Sequence, residues 1–293
     1  MKDDAAMGDG TSFDANAHRD ASLESWQAAA SGWARRQELM RDFGAPVSHW
    51  MVDALNLQSG QRVLELAAGL GETGFLAAEL VAPMGGVIVS DQAEEMLEGA
   101  RARLGELSLN NVEFQVLNAE WIDLPVASVD AVLCRWGYML MADPPAALRE
   151  TRRVLRPGGR VAFAVWGPLD DNPWAMLPEE ELRERKLTKP ATPGTPGPFS
   201  FGTSELVAGL LDEGGFTEIR VQTLELTRRH TSFQELWDST LDLSPSVHNA
   251  VLDRPQAEIA EIAASLAERF APYTAPDGSL AIPGRTFVAS AGA

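Results

Sequence analysis

Five short apolar runs constrain the fold of this chain more than any other feature. They are RVLELA (62–67), GVIVSD (86–91), VEFQVL (112–117), VDAVLC (129–134) and RVAFAVW (160–166), with helix candidates between them at 73–82, 93–107 and 144–155. Short Val-, Leu- and Ile-rich runs suit strands buried on both faces. Strands that alternate with helices pair in parallel through right-handed crossovers. The alternation predicts an α/β fold with a mostly parallel sheet covered by helices on both faces.

The flanks extend this pattern. Trp26, Ala29, Ala30 and Trp33, then Val47, Trp50, Met51, Ala54 and Leu55, recur at helical spacing, so 22–57 reads as a helical leader. Residues 1–21 read as a mobile N-terminus. Pro168, Pro173, Pro178, Pro190, Pro193, Pro196 and Pro198 mark 167–202 as mostly loop, with a short helix near 178–187. A helix at 203–214 ends on Gly214-Gly215 and precedes the strand TEIRVQTLEL (217–226). Residues 231–272 read as helix in two pieces, split at Ser244-Pro245, and GRTFVASA (284–291) reads as a final strand. A strand so late returns the chain to the sheet. That predicts seven strands, a core of 58–230 plus 281–293, and a helical insertion at 231–280.

Charge narrows the partners. Lys plus Arg number 24 against 42 Asp plus Glu, a net −18 that repels phosphate backbones and argues against nucleic acid. The basic stretch Arg149, Arg152, Arg153, Arg156 and Arg160 reads as a solvated helix face leading into a strand. The single cysteine, Cys134, excludes a disulfide within the chain and suits a reducing cytoplasm. No Cys and His spacing suits a metal, so none is expected. No run approaches the roughly 18 apolar residues of a membrane span, and MKDDAAMGDG does not resemble a secretory signal. These features leave a small-molecule substrate as the expected partner, with a homodimer left open.

The first turn carries the chemistry. Gly69, Gly71 and Gly74 form G-x-G-x-x-G between a strand and a helix. Glycine permits the tight turn and a close backbone approach, and the helix start supplies free N–H groups. Asp91, at the end of the next strand, is placed to accept hydrogen bonds from both hydroxyls of a ribose. NAD-type cofactors satisfy this pattern equally well. Two features favour a different one. Glu65, four residues before Gly69, would repel a pyrophosphate but suits the ammonium of a methionine moiety. The turn also stands behind a helical leader, whereas a dinucleotide domain often begins with it.

RVLELAAGLGETG resembles the E/D-x-G-x-G-x-G first motif of class I S-adenosylmethionine-dependent methyltransferases, with Ala67 where the first glycine usually stands. VIVSDQAEEMLEGAR resembles their second motif and NVEFQVLNAEWIDLP their third-strand motif. VDAVLCRWGYMLMADPPAALRETRRVLRPGGRVAFAVW resembles the fourth- and fifth-strand block. Within that class the chain is similar to the bacterial ubiquinone/menaquinone-biosynthesis group, type 11. The resemblance covers 62–166 and, more weakly, 199–226. It implies a Rossmann-like fold and S-adenosylmethionine as cofactor, with S-adenosylhomocysteine as product. It implies that Glu65, Ala67, Gly69 and Gly71 hold the methionine end and Asp91 the ribose. Gln92 would lie along the adenine, with Met96 on the following helix, although Met96 also suits the core. The side chain of Asn118 would face the adenine N6 and the backbone N–H of Ala119 its N1, with Glu120 beside them. Cys134 and Arg135 would lie near the sulfonium.

The reaction expected is methyl transfer to a small, largely apolar metabolite, in which positioning supplies much of the acceleration. Trp136, Tyr138, Trp166 and Trp174 are the candidate acceptor-pocket wall. The leader, the Pro-rich loop and the insertion would form a lid, and their Trp26, Trp33, Trp50, Phe233 and Trp237 point to an apolar acceptor. His18, His49, His230 and His248 fall in no motif, so no catalytic base is assigned. Asp143-Pro144-Pro145 is followed by Ala146, not the aromatic of a DNA amino-methyltransferase motif, and reads as a helix start. Two alternatives stand beside this reading. One is an NAD(P)-dependent oxidoreductase, which lacks a recognisable Tyr-Lys or Cys-His arrangement here. The other is a non-catalytic or repurposed S-adenosylmethionine-binding protein, which cofactor motifs do not distinguish.

Overall fold

The computed structural model describes residues 13–190, 192 and 194–293. Its strands are β1 (Arg62–Glu65), β2 (Gly86–Asp91), β3 (Val112–Val116), β4 (Val129–Arg135), β5 (Leu155–Trp166), β6 (Thr217–His230) and β7 (Leu280–Gly292). They form one sheet in the order β3-β2-β1-β4-β5-β7-β6. The first five are parallel, and β7 runs antiparallel between β5 and β6. The expected α/β architecture, mostly parallel with a late return strand, is therefore present. The chain crosses from β1 to β2 to β3 on one side, then starts β4 on the other side of β1. This reversal opens a crevice beyond the carboxyl ends of β1 and β4, where open α/β sheets bind ligands.

Helices α1 (Ala15–Arg35) and α2 (Gln37–Leu55) precede the sheet. Crossovers α3 (Glu72–Val81), α4 (Glu94–Leu104) and α5 (Pro144–Val154) connect its parallel strands. Between β5 and β6 lie α6 (Pro173–Glu184) and α7 (Ser204–Glu213); between β6 and β7 lie α8 (Phe233–Leu243), α9 (Pro245–Val251) and α10 (Gln256–Arg269). Local chemistry starts several of them. Asp14 caps α1 by accepting from Asn16 and Ala17 N–H, Thr203 caps α7 and Ser232 caps α8. Asp143 caps α5 with proline in its first turn, so Asp143-Pro144-Pro145 is a helix start.

The structure departs from the sequence expectations in several places. Of the N-terminus expected to be mobile, residues 15–21 are helical, and residues 1–12 lie outside the described residues. Helix α6 starts at Pro173, in the first turn where a missing N–H costs nothing, so the Pro-rich stretch holds more helix than 178–187. The stretch 231–272 forms three helices, because a second break precedes Gln256. Strand β5 begins at Leu155, through a register shift beside Pro157-Gly158-Gly159. Strands β6 and β7 stay paired out to His230 and Leu280.

One hydrophobic core surrounds the sheet, with Val63, Leu64, Val89, Val132, Leu133, Phe163 and Val288 at its centre. A second gathers Leu236, Trp237, Val247, Ile262, Leu266 and Phe270 of the insertion with Leu182, Leu280 and Ile282. Phe233 and Trp237 belong to this second core, and Trp50 donates its indole N–H to Gln222 on β6 at 2.7 Å. These three are packing residues and do not border the crevice. No helix among the described residues is long and apolar enough to cross a membrane.

Candidate functional site

The turn after β1 is shaped by three left-handed residues: Ala67 at φ +49°, Gly69 at +56° and Gly71 at +79°. Only glycine adopts this region without cost, so Ala67 holds its place against roughly 1–2 kcal/mol of local strain. Gly74 is required by packing. A Cβ there would lie 2.3 Å from Oε2 of Glu65, so the first turn of α3 rests directly on that carboxylate. Glu65 is 2% exposed and its Oε2 has no hydrogen-bond partner among the described residues. Burial pushes its carboxyl up to about 8, against the opposing pull of Arg135 and the Gly74 amide. Arg135, at the end of β4, mirrors this state. Its Nη1 is buried without a partner, and burial lowers its pKa. A Cβ on Gly44 of α2 would lie 1.8 Å from that Nη1, so the guanidinium fills a space that α2 leaves for it.

Asp91 ties the turn to the end of β2. Its Oδ2 accepts from the Gly69 N–H at 2.9 Å and its Oδ1 from the Ala93 N–H at 3.0 Å. Burial raises its pKa, and these amides oppose that shift. Beyond β3, the Asn118 Oδ1 accepts from the Glu120 N–H at 2.8 Å and fixes the loop. Glu120 is 6% exposed; Arg19 of α1 donates to its Oε2, with Nε at 3.0 Å, and the Ala142 N–H to its Oε1 at 2.9 Å. Both oxygens of Glu120 are thus engaged in clamping α1 and the β4–α5 loop onto the core.

These parts surround one cavity of about 930 Å³. Ala67, Gly69, Asp91, Gln92, Met96, Asn118, Ala119, Glu120 and Arg135 line it, as the sequence led us to expect. Met96 also packs with Ala30 and Ala93, so it serves core and wall together. Three expected cofactor residues do not reach the wall. Glu65 lies behind the turn, Gly71 caps α3, and Cys134 is fully buried with its thiol pushed up to about 12. Adjacent strand residues point to opposite faces, so Cys134 and Arg135 could not both line the cavity.

Trp136, Trp166 and Trp174 form one side of the cavity. Trp136 and Trp166 stack at 4.4 Å with a 12° interplanar angle, and Trp174 lies 4.8 Å beyond Trp166. Trp136 holds a left-handed φ of +61°, a true outlier for a bulky residue, and is pinned by its indole N–H to Thr286 Oγ1 at 3.0 Å. Tyr138 is not part of this wall. It is fully buried, its hydroxyl bonded to Thr151 at 2.6 Å and its ring edge-on to Phe163. Tyr138 opens a short 3-10 turn, Tyr138–Leu140, beyond the end of β4, and its ring is turned into the core there. Trp26 and Trp33 of α1 do border the cavity.

Sequence reasoning missed Phe43, Phe199 and Arg228, all of which line the cavity. Phe43 precedes Val47 and Met51 at helical spacing, a detectable signal. Phe199 lies in the Pro-rich loop and carried none. Arg228 lies beyond the predicted end of its strand, yet Leu226, Arg228 and His230 are buried at alternate positions of β6.

A family profile described as "Methyltransferase domain" matches residues 57–201, the segment holding the turn, Asp91, Asn118 and the aromatic wall. That segment is a methyltransferase domain, and the chain is similar to S-adenosylmethionine-dependent methyltransferases. The chain is similar to "Arsenite methyltransferase" of Halobacterium salinarum, 31% identical over 196 residues, covering 66% of this chain and 46% of that protein. It is also similar to "Ubiquinone/menaquinone biosynthesis C-methyltransferase UbiE" of Hahella chejuensis, 34% identical over 134 residues, covering 44% of this chain and 54% of that protein. The chain thus spans about half the length of these relatives. Its fold is like that of the YcgJ protein from Bacillus subtilis, with TM-score 0.56 and 18% identity, over 84% of this chain and 97% of that one. S-adenosylmethionine is the cofactor of this family.

Proposed function

We propose that this methyltransferase transfers the methyl group of S-adenosylmethionine to a small, largely apolar metabolite. The observation that carries the reading is the single cavity that joins the glycine turn and Asp91 to the Trp136–Trp166 stack. The buried, unpartnered polar atoms fit the methionine end of the cofactor. Its zwitterion would offer a carboxylate to the guanidinium of Arg135, which borders the cavity, and an ammonium whose charge Glu65, behind the turn, would balance. When bound, the cofactor supplies a methyl group already activated on a sulfonium.

The residues of the chain then have separable tasks. Arg135 and the turn amides would hold the amino-acid end, and Asp91, Asn118 and Ala119, which line the same cavity, would hold the adenosine end. The Trp136–Trp166 stack and Phe43 exclude water beside the transferring methyl and give an apolar acceptor a flat surface. In a displacement whose leaving group is already activated, alignment supplies much of the rate. His18 borders the cavity with Nε2 at 3.0 Å from the Leu140 carbonyl, and no base is assigned.

The test is calorimetric titration with S-adenosylhomocysteine and with NAD, followed by a mass-detected methylation screen of hydroquinones, phenols and aromatic acids. S-adenosylhomocysteine binding without NAD binding, and a methylated small molecule, support the reading. Methylation confined to protein or nucleic acid overturns it.

A further inference from the structure

Arg228 presents a second buried cation at the opposite end of the cavity from the glycine turn. It is 6% exposed, borders the cavity, donates from Nη2 to Ser239 Oγ at 3.2 Å, and lies 5.8 Å from the Trp174 ring centroid. Among the described residues it makes no ion pair, and Glu179, which also borders the cavity, does not reach it. The charged group nearest in influence is another cation, Arg36, already paired with Asp242. The surrounding arginines behave differently: Arg185, Arg269 and Arg285 each hold a carboxylate. A buried guanidinium without an anion is costly unless a ligand brings one.

The spacing shows which ligand end would bring it. Steps of 4.4, 4.8 and 5.8 Å lead from Trp136 through Trp166 and Trp174 to Arg228. A ring-bearing molecule against this aromatic wall therefore has the Arg228 guanidinium beside the Trp174 end of it. The methionine carboxylate of the cofactor belongs to Arg135 at the other end, so Arg228 remains free for the acceptor. We propose that Arg228 binds a carboxylate on the acceptor, so that the substrate class is aromatic or polycyclic carboxylic acids held by the acid end, with the methyl-accepting atom toward the turn. This rests on the cavity being the acceptor site of a methyltransferase. Arginine suits the task, because its planar fork matches a carboxylate with two parallel hydrogen bonds.

The experiment uses the full chain and two matched probes, 2-naphthoate and methyl 2-naphthoate, titrated calorimetrically with and without S-adenosylhomocysteine. The naphthoate is expected to bind at least tenfold more tightly than its ester. Added sodium chloride should weaken the acid and leave the ester unchanged. In Arg228→Met and Arg228→Gln the preference should fall below about twofold, Arg228→Lys should keep part of it, and S-adenosylhomocysteine affinity should not move. Equal affinity of both probes for the wild type, or a preference that survives in a folded Arg228→Met, overturns the proposal. The salt dependence is read with S-adenosylhomocysteine bound, so that Arg135 is occupied. Should the neutral substitutions fail to fold, Arg228→Lys, which keeps the charge and loses the planar fork, decides the matter, and an unchanged preference in it overturns the proposal. Absence of S-adenosylhomocysteine binding would instead overturn the methyltransferase reading, and the probe preference is then read on the cofactor-free chain by comparing Arg228→Met with Arg135→Met, since both arginines border the cavity.

Discussion

Glu65 shows how a single carboxylate can report on ligand binding. Its pKa in the fold, about 8, lies above the ordinary 4.5 because burial disfavours the charged form. The folded state therefore binds the extra proton. The contribution of this group to stability is fully present below 4.5, falls as pH rises toward about 8, and is flat above. Urea denaturation across that window should show this decline, and Glu65→Gln should remove it. A cofactor ammonium favours the carboxylate, so S-adenosylhomocysteine binding near pH 6.5 should release a proton in the wild type and none in Glu65→Gln. Calorimetry in buffers of differing ionisation enthalpy reads this directly. Ala67 and Gly137 form a second residue-scale pair. A Cβ on Gly137 would meet Ala67 Cβ at 2.6 Å and Cys134 Sγ at 2.7 Å. Gly137→Ala should destabilise by about 1–3 kcal/mol through overpacking. Ala67→Gly alone should change stability by less than about 1 kcal/mol, since relief of the left-handed strain offsets the greater chain entropy. The double variant should recover part of the Gly137→Ala loss, because the two sites share a contact.

Among the elements, α1 does more than precede the sheet. Through Arg19 it is latched to Glu120, and through Trp26 and Trp33 it closes one side of the cavity. Arg19→Ala leaves a nearly buried carboxylate without its cation. Hydrogen exchange in residues 15–25 should rise by about tenfold, consistent with losing a charge-assisted hydrogen bond, while the β1 and β4 amides keep their protection. Exchange mass spectrometry checks both segments. The strands were legible because each is a compact apolar run between turn signals. The end of β6 was not, because Thr227, Arg228, Arg229 and His230 are all polar, and the burial that alternates there comes from tertiary packing and not from composition. Arg228 was missed for that reason. Tyr138 was misplaced for another: it was chosen as an aromatic residue near the strand end, and the 3-10 turn that buries it has no local signature. More of the residues proposed for the cofactor end border the cavity, since glycine spacing and the acid at the next strand end are written locally. The acceptor end is assembled from α1, α2, the Pro-rich loop and β6, which no local pattern connects.

At the scale of the whole molecule, the sheet and the α8–α10 layer have separate hydrophobic cores joined by the β6–β7 ribbon. Replacing residues 231–279 by a two-residue turn should therefore leave a folded sheet that still binds S-adenosylhomocysteine. It should lose acceptor binding, because Thr240, Leu243 and Val247 of the removed layer border the cavity beside Arg228. Far-UV circular dichroism and the two titrations separate these outcomes, and loss of the cofactor site together with the acceptor site would show that the layers are not independent. The aromatic wall has a further consequence. Five of the eight tryptophans, Trp26, Trp33, Trp136, Trp166 and Trp174, face the one cavity, and the near-parallel pair at 4.4 Å absorbs as a coupled chromophore. The ultraviolet signature of this protein is thus concentrated where its chemistry is, so that filling of the cavity should be visible as a change of colour in the near ultraviolet, with no label attached.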